Sequence, residues 1–333
     1  MKKILVVGGA GYIGSHTVIA LANSGYMPVI LDNFSNSEHF IIDRLEKLTK
    51  KKLRCYEQDY RETDKLNNVI KKEKINGIIH FAALKAVGES VKDPIKYYDN
   101  NVSGFISLLK TALDNKIYNL VFSSSAAVYG IPKNIAVTEQ DDCKPSSPYG
   151  MSKLIDELIL KDTCLANHQL NGIALRYFNV IGADPSGLIG ELAKGKPNNL
   201  LPILIQSIAN SSTLIIFGND YSTPDGTCLR DYVHVSDLAN AHVKALDLCF
   251  RRNGGYEVFN IGTGRPTSTL ELIKIFEEVN KIRVPYKIGK RRPGDPPAYY
   301  ASNSKALKEL DWTPMLEINK SVEDVWRWYK NNQ

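Results

Sequence analysis

The chain has 333 residues, of which 43% are hydrophobic and 23% are charged, a composition that argues against both a disordered chain and a membrane-embedded one. Its length exceeds the roughly 100 to 200 residues of a usual domain, so we expect two domains. The net charge of +6 comes from short Lys and Arg clusters without a basic stripe, which argues against a nucleic-acid partner.

A glycine turn follows the first predicted strand. The run Lys3–Val7 is short, apolar and β-branched, as expected for a parallel strand that is buried on both faces. A helix is predicted from Tyr12 to about Asn23, where Gly25 can take the left-handed conformation that ends a helix. The turn between them contains Gly8, Gly11 and Gly14.

The second predicted strand, Val29–Asp32, ends in a carboxylate. The glycines would let the backbone approach a pyrophosphate at the N-terminus of the helix, and an acid at this distance from them typically binds the ribose of a dinucleotide. A carboxylate repels the 2′-phosphate of NADP, and no arginine follows until Arg44. The sequence therefore favours NAD as the cofactor.

Helices and strands alternate through the next part of the chain. We predict helices over residues 40–50, 64–74 and 97–115, and strands over residues 53–57, 77–81 and 119–125. The polar loop Asn33–Ser37 follows a strand and is predicted to line the adenosine. Asp59 ends the next strand, where it could bond the adenine amino group or cap the following helix. This alternation predicts an α/β fold with a doubly wound parallel sheet of Rossmann type.

Beyond about residue 180 the alternation loosens and glycine and proline become frequent. We predict helices over residues 201–210, 236–250, 269–280 and 319–330, and strands near residues 213–217 and 256–261. Ser268 and Glu271 have the spacing of a capping box. We expect a Rossmann domain over residues 1–180 and a smaller α/β substrate-binding lobe over residues 181–333, with some chain crossing back.

The cysteines indicate a reducing compartment. There are five of them, scattered singly, with no paired spacing for zinc and an odd count for a disulfide framework. We therefore expect no metal site, no membrane partner and a cytoplasmic location.

Tyr149 and Lys153 are the strongest candidates for chemistry. Residues four apart on a helix share one face, so the ammonium group can approach the phenol. A nearby lysine and a positively charged nicotinamide would stabilise the phenolate and lower the pKa of Tyr149 from its usual value of about 10. The pair alone is compatible with an ordinary exposed contact, but the glycine turn and Ser125 at the end of a strand favour catalysis.

These features resemble the extended short-chain dehydrogenase/reductase family, whose members carry such a glycine turn, a strand-end Ser or Thr and a Tyr-x-x-x-Lys pair. Within that family the closer resemblance is to the UDP-glucose 4-epimerases. The stretches that carry it run through nearly the whole chain: Gly8–His16, Leu31–Asn33, His80–Val91, Tyr97–Val102, Phe122–Gly130, Ser147–Lys153, Arg176–Gly182, Pro197–Pro202, Phe217–Tyr221, Arg230–Val235 and Arg291–Tyr299.

The resemblance implies roles for individual residues. It implies Tyr149 as the general acid/base, Lys153 as the group that tunes it and holds the nicotinamide ribose, and Ser125 as a bridging hydroxyl. The other cofactor positions are Gly8, Gly11, Tyr12, Ile13, Gly14, Asp32, Asn33, Phe34, Ser35, Asn36, Ser37, Asp59, Tyr60, Phe81, Ala82, Ala83, Lys85, Asn100 and Phe178. The other nucleotide-sugar positions are Lys85, Asn179, Asn199, Leu200, Phe217, Arg230, Arg292, Asp295 and Tyr299.

The activity implied by the resemblance is reversible inversion at C4 of UDP-galactose and UDP-glucose, with tightly held NAD, in a homodimer joined through helices of the Rossmann part. The bulk of Tyr299 would disfavour N-acetylated sugars. Without the resemblance, Arg230 and Arg292 would be interpreted as members of surface ion pairs.

Other functions stay open at this point. One alternative is a nucleotide-sugar 4,6-dehydratase or another NAD-dependent nucleotide-sugar epimerase. The dehydratase pattern has an Asp-Glu pair after the strand-end hydroxyl, where this chain has Ala126 and Ala127. A more distant alternative is an inactive NAD-binding sensor, which the presence of both Tyr149 and Lys153 disfavours.

Overall fold

Helices and strands alternate along the chain in the predicted order. The structure is a computed structural model that describes residues 1–192, 195, 197, 199–292 and 296–332. The strands are β1 Lys3–Val7, β2 Met27–Asp32, β3 Arg54–Glu57, β4 Gly77–His80, β5 Asn119–Ser123, β6 Ala136–Val137, β7 Asn171–Tyr177, β8 Asn179–Ile181, β9 Leu214–Phe217, β10 Leu229–His234, β11 Gly255–Ile261, β12 Pro266–Ser268, β13 Tyr286–Gly289 and β14 Ala298–Ala301.

The helices agree with the predicted bounds within a few residues in most cases, although those at residues 87–92, 94–97 and 304–309 were not predicted. They are α1 Tyr12–Asn23, α2 Phe40–Thr49, α3 Thr63–Glu73, α4 Val87–Lys92, α5 Pro94–Tyr97, α6 Gly104–Asp114, α7 Pro148–Ala166, α8 Leu200–Ala209, α9 Val235–Arg251, α10 Thr269–Asn280, α11 Ser304–Glu309 and α12 Ile318–Lys330. A π-helical segment, Tyr98–Ser103, joins α5 to α6, and a 3₁₀ turn, Ala126–Tyr129, follows β5.

Among the described residues, seven parallel strands form the main sheet in the order β11-β7-β5-β4-β1-β2-β3. The chain winds outward in one direction from β1 through β2 and β3, and then in the other from β4. The predicted doubly wound sheet is therefore confirmed. The order reverses between β1 and β4, and in such sheets ligands bind at that point, at the carboxyl ends of the strands.

Apolar residues on both faces of this sheet bury it between helices. Ile4 and Val6 of β1 pack into one core layer, and Leu5 and Val7 into the other, because successive side chains of a strand point to opposite faces. All four are fully buried. This burial explains why β1 lacks the polar alternation of a half-exposed strand.

The second half of the chain contributes to both parts of the molecule. β11 adds an edge strand beside β7 in the main sheet, and α9 packs on α1. The other strands form a mixed sheet, in which β10 lies between β12 and β14 and also pairs with β8, and a small parallel pair, β9 and β13. The division of the chain at residue 180 stays a prediction.

The lobe has its own apolar core, and its helix α10 begins as predicted. Leu204, Ile216 and Phe276 belong to this core and are almost fully buried. The capping box is confirmed: the Glu271 backbone N–H donates to Ser268 Oγ at 3.0 Å, and the Ser268 N–H donates to Glu271 Oε2 at 3.2 Å.

Candidate active site

The glycine turn forms a cradle for an anion at the N-terminus of α1. Gly8 has a φ of +82°, and a Cβ there would lie 2.7 Å from the backbone nitrogen of Ala82. A Cβ on Gly14 would lie 2.1 Å from the carbonyl oxygen of Gly8. Gly11 is the N-cap and offers no side chain to the first N–H groups of the helix, so these groups can bind a pyrophosphate.

Asp32 ties this turn to the loop after β2. Its Oδ2 accepts from the Ala10 N–H at 2.9 Å, and its Oδ1 accepts from the Phe34 N–H and from Ser37 Oγ, each at 2.9 Å. A carboxylate has about four acceptor positions, so these three bonds leave capacity for one more donor. Asp32 is buried and fixed in place, as a residue that positions a ribose must be.

Arg44 is engaged away from the loop after β2. Its Nη1 donates to the Leu188 carbonyl at 2.8 Å and to the side chain of Asn332. Its guanidinium also lies 4.2 Å from the centre of the Phe40 ring. These contacts direct the first arginine after Asp32 toward the C-terminal end of the chain.

Asp59 does not cap α3, so that alternative is wrong. The N-cap residue of α3 is Glu62, without a side-chain cap bond. Asp59 instead binds the Arg61 guanidinium through both carboxylate oxygens, at 2.9 and 2.8 Å, and accepts a bond of 3.3 Å from Asn33. These bonds, those from Arg61 first, lower the pKa of Asp59 below its usual range.

Tyr60 and Asn100 meet at the π-helical segment. The Tyr60 hydroxyl donates to the Asn100 carbonyl. The Tyr60 ring packs directly against Gly104, where any side chain would clash, because a Cβ at that position would lie 2.5 Å from the Tyr60 hydroxyl oxygen. π-Helical turns occur frequently at functional sites. On the other side of the cradle, Phe81 and Ala82 both donate N–H bonds to the Val7 carbonyl, at 2.8 and 3.1 Å.

Tyr149 lies in the first turn of α7 and faces inward. Ser147 caps this helix by accepting from the Gly150 N–H at 3.2 Å, and Pro148 takes the first helical position, which suits proline. Tyr149 is 8% exposed. The Ser125 hydroxyl is near enough to that of Tyr149 to act on its pKa as a hydrogen-bond donor, and Ser125 Oγ accepts from the Ala127 N–H at 3.1 Å.

The polypeptide by itself raises the pKa of Tyr149. Burial is the main cause, the nearby Tyr177 adds to it, and the hydrogen bond with Ser125 opposes it. The lowered pKa was expected from Lys153 together with a bound nicotinamide and stays a prediction, while in the polypeptide alone burial dominates. The physical reason is that removing a phenolate from water costs more than one hydroxyl donor returns.

Lys153 is buried beside Tyr149 on the same helical face. Its Nζ donates to the Ser123 carbonyl at 2.9 Å and lies 4.7 Å from the centre of the Phe122 ring. Burial lowers the pKa of Lys153 to about 8, while the carboxylates of Asp156 and Glu157 oppose that shift.

Arg230 and Tyr299 are direct neighbours in the mixed sheet. They are register partners on β10 and β14, and the guanidinium lies 5.1 Å from the centre of the Tyr299 ring. Tyr299 also packs on Phe178, with 5.6 Å between the ring centres. Arg230 is 9% exposed, so its side chain does not lie on the open surface of the protein.

A second pair of a guanidinium and an aromatic ring, Arg292 and Phe217, lies at the end of β9. The guanidinium of Arg292 lies 4.6 Å from the centre of the Phe217 ring, which is 40% exposed. Asn179 begins β8, and Leu200 begins α8. Asp295 lies outside the described residues.

Glu191 brings two predicted site residues together, although no motif in the sequence selects it. Its Oε1 accepts from Lys85 Nζ at 3.1 Å and from Asn199 Nδ2 at 3.3 Å. Tyr12 belongs to the same region, because its hydroxyl donates to the Gly182 carbonyl at 2.6 Å and Glu191 adds to the raised pKa that burial gives this phenol. Nothing in the spacing around Glu191 could have indicated this.

Two further residues were missed near Tyr149, the partly buried Tyr177 and the buried Asp156. Tyr177 accepts a bond of 3.2 Å from Ser123 Oγ. Asp156 lies on α7 at seven residues from Tyr149, and this spacing on one helical face was a signal available in the sequence.

Two kinds of feature are absent from the described ranges. They contain no group of three or more His, Cys, Asp or Glu side chains placed to hold a metal ion. They also contain no helix with the length and apolar character needed to cross a membrane.

Comparisons with known proteins identify close relatives over the whole chain. The profile of the NAD dependent epimerase/dehydratase family matches residues 4–262. A UDP-glucose 4-epimerase of Dictyostelium discoideum is 46% identical over 331 residues, which are 99% of this chain and 96% of the relative.

Solved structures show the same fold. A UDP-glucose-4-epimerase of Stenotrophomonas maltophila, with bound NAD and formylated UDP-arabinopyranose, is 41% identical, with a TM-score of 0.97 over 99% of this chain and 98% of that one. The UDP-glucose 4-epimerase of Bifidobacterium longum, in complex with NAD+ and UDP, is 43% identical, with a TM-score of 0.94 over 99% of each chain.

Proposed function

The chain belongs to the NAD dependent epimerase/dehydratase family, and on this basis we propose that Tyr149 is the acid/base group of a UDP-glucose 4-epimerase. The enzyme interconverts UDP-glucose and UDP-galactose by inversion at C4, and NAD is its cofactor. The observation that carries the assignment of roles is that Tyr149 and Lys153 are both buried on one face of α7, at 8% and 2% exposure, while Lys153 Nζ donates to the Ser123 carbonyl at the end of β5.

The cofactor fits the observed cradle. The N-terminal N–H groups of α1 would hold the pyrophosphate, and Asp32 would accept from the adenosine ribose. When bound there, NAD would supply a reversible acceptor for the C4 hydride of the sugar, so that no redox product leaves. The polypeptide alone raises the pKa of Tyr149, which would keep the phenol protonated without cofactor. A bound, positively charged nicotinamide would favour the phenolate and lower this pKa.

The residues of the chain move one proton. Tyr149 takes the proton of the C4 hydroxyl, directly or through Ser125, as the 4-keto sugar forms. It returns the same proton to the C4 oxygen when the alcohol is restored. Lys153, held by the Ser123 carbonyl, supplies positive charge near the phenolate and would bind the nicotinamide ribose.

The enzyme must bind the UDP part tightly, while the 4-keto hexose must be free to rotate in the site. Arg230 and Arg292 would pair with the diphosphate, for which guanidinium groups are well suited. Phe217 offers an exposed ring face to the uracil. We propose that Asn199 and Lys85, now bound to Glu191, also contact the nucleotide sugar.

The dehydratase alternative would require acid/base groups where this chain has alanines. Ala126 and Ala127 begin the 3₁₀ turn directly after Ser125, and neither can transfer a proton. Mass spectrometry of the products from UDP-glucose distinguishes the two reactions. Epimerisation leaves the mass unchanged, whereas a product lighter by one water would replace this proposal with the dehydratase.

We also propose that two copies of the chain associate through α6 and α7. Both helices carry exposed apolar side chains, including Ile106 at 47%, Leu158 at 49% and Leu165 at 64% exposure. A shallow groove between the helices is lined mainly by apolar residues such as Leu109 and Ile159. An extended apolar surface of this kind is typical of an interface. A cytoplasmic location is proposed on the basis of the five free cysteines.

A further inference from the structure

Asp156 is a buried carboxylate with an unusual environment. It is 1% exposed, and its Oδ1 has no hydrogen-bond partner among the described residues. Burial of a charged or polar group without a partner is costly, so such a group in a stable fold requires an explanation. A purely structural role offers none, because an apolar side chain of similar size would fill the space without that cost.

The position of Asp156 on α7 connects it to the proposed catalytic pair. Tyr149, Lys153 and Asp156 are spaced by four and three residues, which places them on one face of the helix in successive turns. Lys153 is itself 2% exposed. The ammonium and the carboxylate are therefore neighbours in a region from which water is excluded, where the interaction between opposite charges is strong.

The other carboxylate near Lys153 is already committed to another cation. Glu157 binds the Arg176 guanidinium through both of its oxygens, with the shortest distance at 2.5 Å, and also accepts from Ser124 Oγ. Its charge is thus largely compensated. Asp156 is the carboxylate of this pair that remains to balance Lys153.

We propose that Asp156 is a positioning residue that keeps Lys153 in its charged form, and thereby supports the phenolate of Tyr149. The inference rests on the proposed role of Tyr149. The groups that face the Asp156–Lys153 pair are Glu157 from α7, Tyr60 from the segment after β3 and His80 from β4.

Because the neighbouring Tyr60 and His80 are neutral, Asp156 is the group whose ionisation changes the charge around Lys153. Tyr60 donates its proton to the Asn100 carbonyl and burial raises its pKa, so it stays neutral. Burial, followed by the charge of Lys153, lowers the pKa of His80 well below its usual value, so it is neutral as well. Burial raises the pKa of Asp156 and lowers that of Lys153 to about 8, while the two groups oppose each other's shift.

The negative charge of Asp156 raises the pKa of Lys153, whereas burial lowers it. With Asp156 ionised, Lys153 keeps its proton to a higher pH. Removal of the Asp156 carboxylate leaves only Glu157, which is already paired with Arg176, to oppose the effect of burial, and the pKa of Lys153 falls. An opposite charge nearby typically shifts a pKa by about 1 to 3 units, and we expect the lower end here because the groups form no direct ion pair among the described contacts. The alkaline limb of the kcat profile should move to lower pH by the same amount.

The test uses Asp156→Asn, which keeps the shape of the side chain, and Asp156→Leu, which removes its polarity. The titration midpoint of Lys153 is measured from its side-chain NMR signal in the whole protein, with Lys153→Arg for assignment, and the pH profile of kcat is measured in parallel. Asp311→Asn is the control, because it removes one carboxylate that is 94% exposed.

Both Asp156 variants are expected to lower the Lys153 midpoint by roughly one pH unit, with the control unchanged. The inference is overturned if the midpoint stays within about 0.3 units of the wild-type value in whichever of the two variants folds. The NMR measurement needs no substrate. A shifted midpoint in a protein without epimerase activity would therefore support the role of Asp156 and count against the proposed function alone.

Discussion

At the scale of single residues, Tyr149 is the side chain on which the proposed chemistry depends. Replacement by Phe keeps the buried ring but removes the group that accepts and returns the proton. General acid/base groups typically contribute about 10²- to 10⁴-fold to a rate, so kcat for UDP-galactose should fall by at least a hundredfold with NAD still bound. Steady-state kinetics and the NAD content of the purified variant are the measurements.

The matched control for Tyr149 is Tyr118→Phe. Tyr118 directly precedes β5 and therefore lies at the opposite end of that strand from Ser125. The Tyr118→Phe variant should retain full activity. Loss of less than tenfold in the Tyr149 variant would show that another group moves the proton.

Tyr299 is predicted to limit which sugars enter. Its ring lies against Arg230 and Phe178, so an acetamido group at C2 of the sugar would have to displace a packed side chain. Overpacking costs about 1 to 3 kcal/mol, which corresponds to roughly a tenfold to hundredfold lower kcat/KM for N-acetylated UDP-sugars. Tyr299→Cys should relax this selectivity.

Tyr300→Cys is the control for this prediction, because adjacent side chains of a strand point to opposite faces. It should leave the ratio of kcat/KM for UDP-glucose and UDP-N-acetylglucosamine unchanged. A wild-type enzyme that uses both sugars equally well would contradict the steric role of Tyr299.

Residue types at fixed spacings made much of the site predictable. The glycines, Asp32 and the pair Tyr149 and Lys153 are constrained along the chain, so their approximate positions follow from the strand and helix that carry them. Glu191 lies 106 residues from its partner Lys85, and only the folded chain brings the two together. The raised pKa of Tyr149 was not predictable either, because it depends on burial by distant segments.

At the scale of elements, Glu73 at the end of α3 ties that helix to β1 and β3. It accepts from Lys3 Nζ at 2.7 Å and from the Tyr56 hydroxyl at 2.6 Å, and these bonds lower its pKa from the ordinary 4.5. A carboxylate with a lowered pKa stabilises the fold above its unfolded pKa, and this contribution is lost as the pH falls through the folded value.

Glu73→Gln should therefore reduce the free energy of unfolding by about 1 kcal/mol at pH 7, and by much less at pH 3. Urea denaturation at the two pH values measures this difference. Glu62→Gln, which breaks an exposed pair with Lys65, is the control and should change stability by less than about 0.5 kcal/mol at either pH. If Glu73→Gln lowered the free energy of unfolding equally at both pH values, the contribution of Glu73 would not depend on its ionisation, contrary to this prediction.

Element boundaries were predictable because local signals set them. Gly25, with a φ of +82°, follows the end of α1, and the capping box starts α10. The π-helical segment Tyr98–Ser103 was predicted only as ordinary helix, since the contact of Tyr60 with this segment is not visible in the local sequence.

At the scale of the whole molecule, the exposed apolar face of α6 and α7 predicts association of two copies. Leu158→Arg places a charge in the centre of this face, where it would be desolvated without a partner. We expect a dimer for the wild type and a monomer for the variant by light scattering after size exclusion. Leu307→Arg, at an apolar residue of similar exposure on α11, should remain dimeric. A wild-type monomer at micromolar concentration would contradict the interface.

The topology of the second half was less predictable than that of the first. Some return of the second half to the Rossmann part was expected, but local patterns could not indicate that β11 pairs with β7 or that α9 packs on α1, because these partners lie far away in the sequence. The long-range pairing is decided by the unsatisfied edge of β7 and the apolar face of α1.

The most direct test of the function is incubation of the purified protein with UDP-galactose without added NAD, followed by separation of the products. We predict that UDP-glucose appears and approaches a constant ratio with UDP-galactose, with no accumulation of NADH, and that Tyr149→Phe under the same conditions forms almost none. Absence of UDP-glucose even after addition of NAD, or product formation only with matching consumption of NAD, would contradict the proposed epimerase.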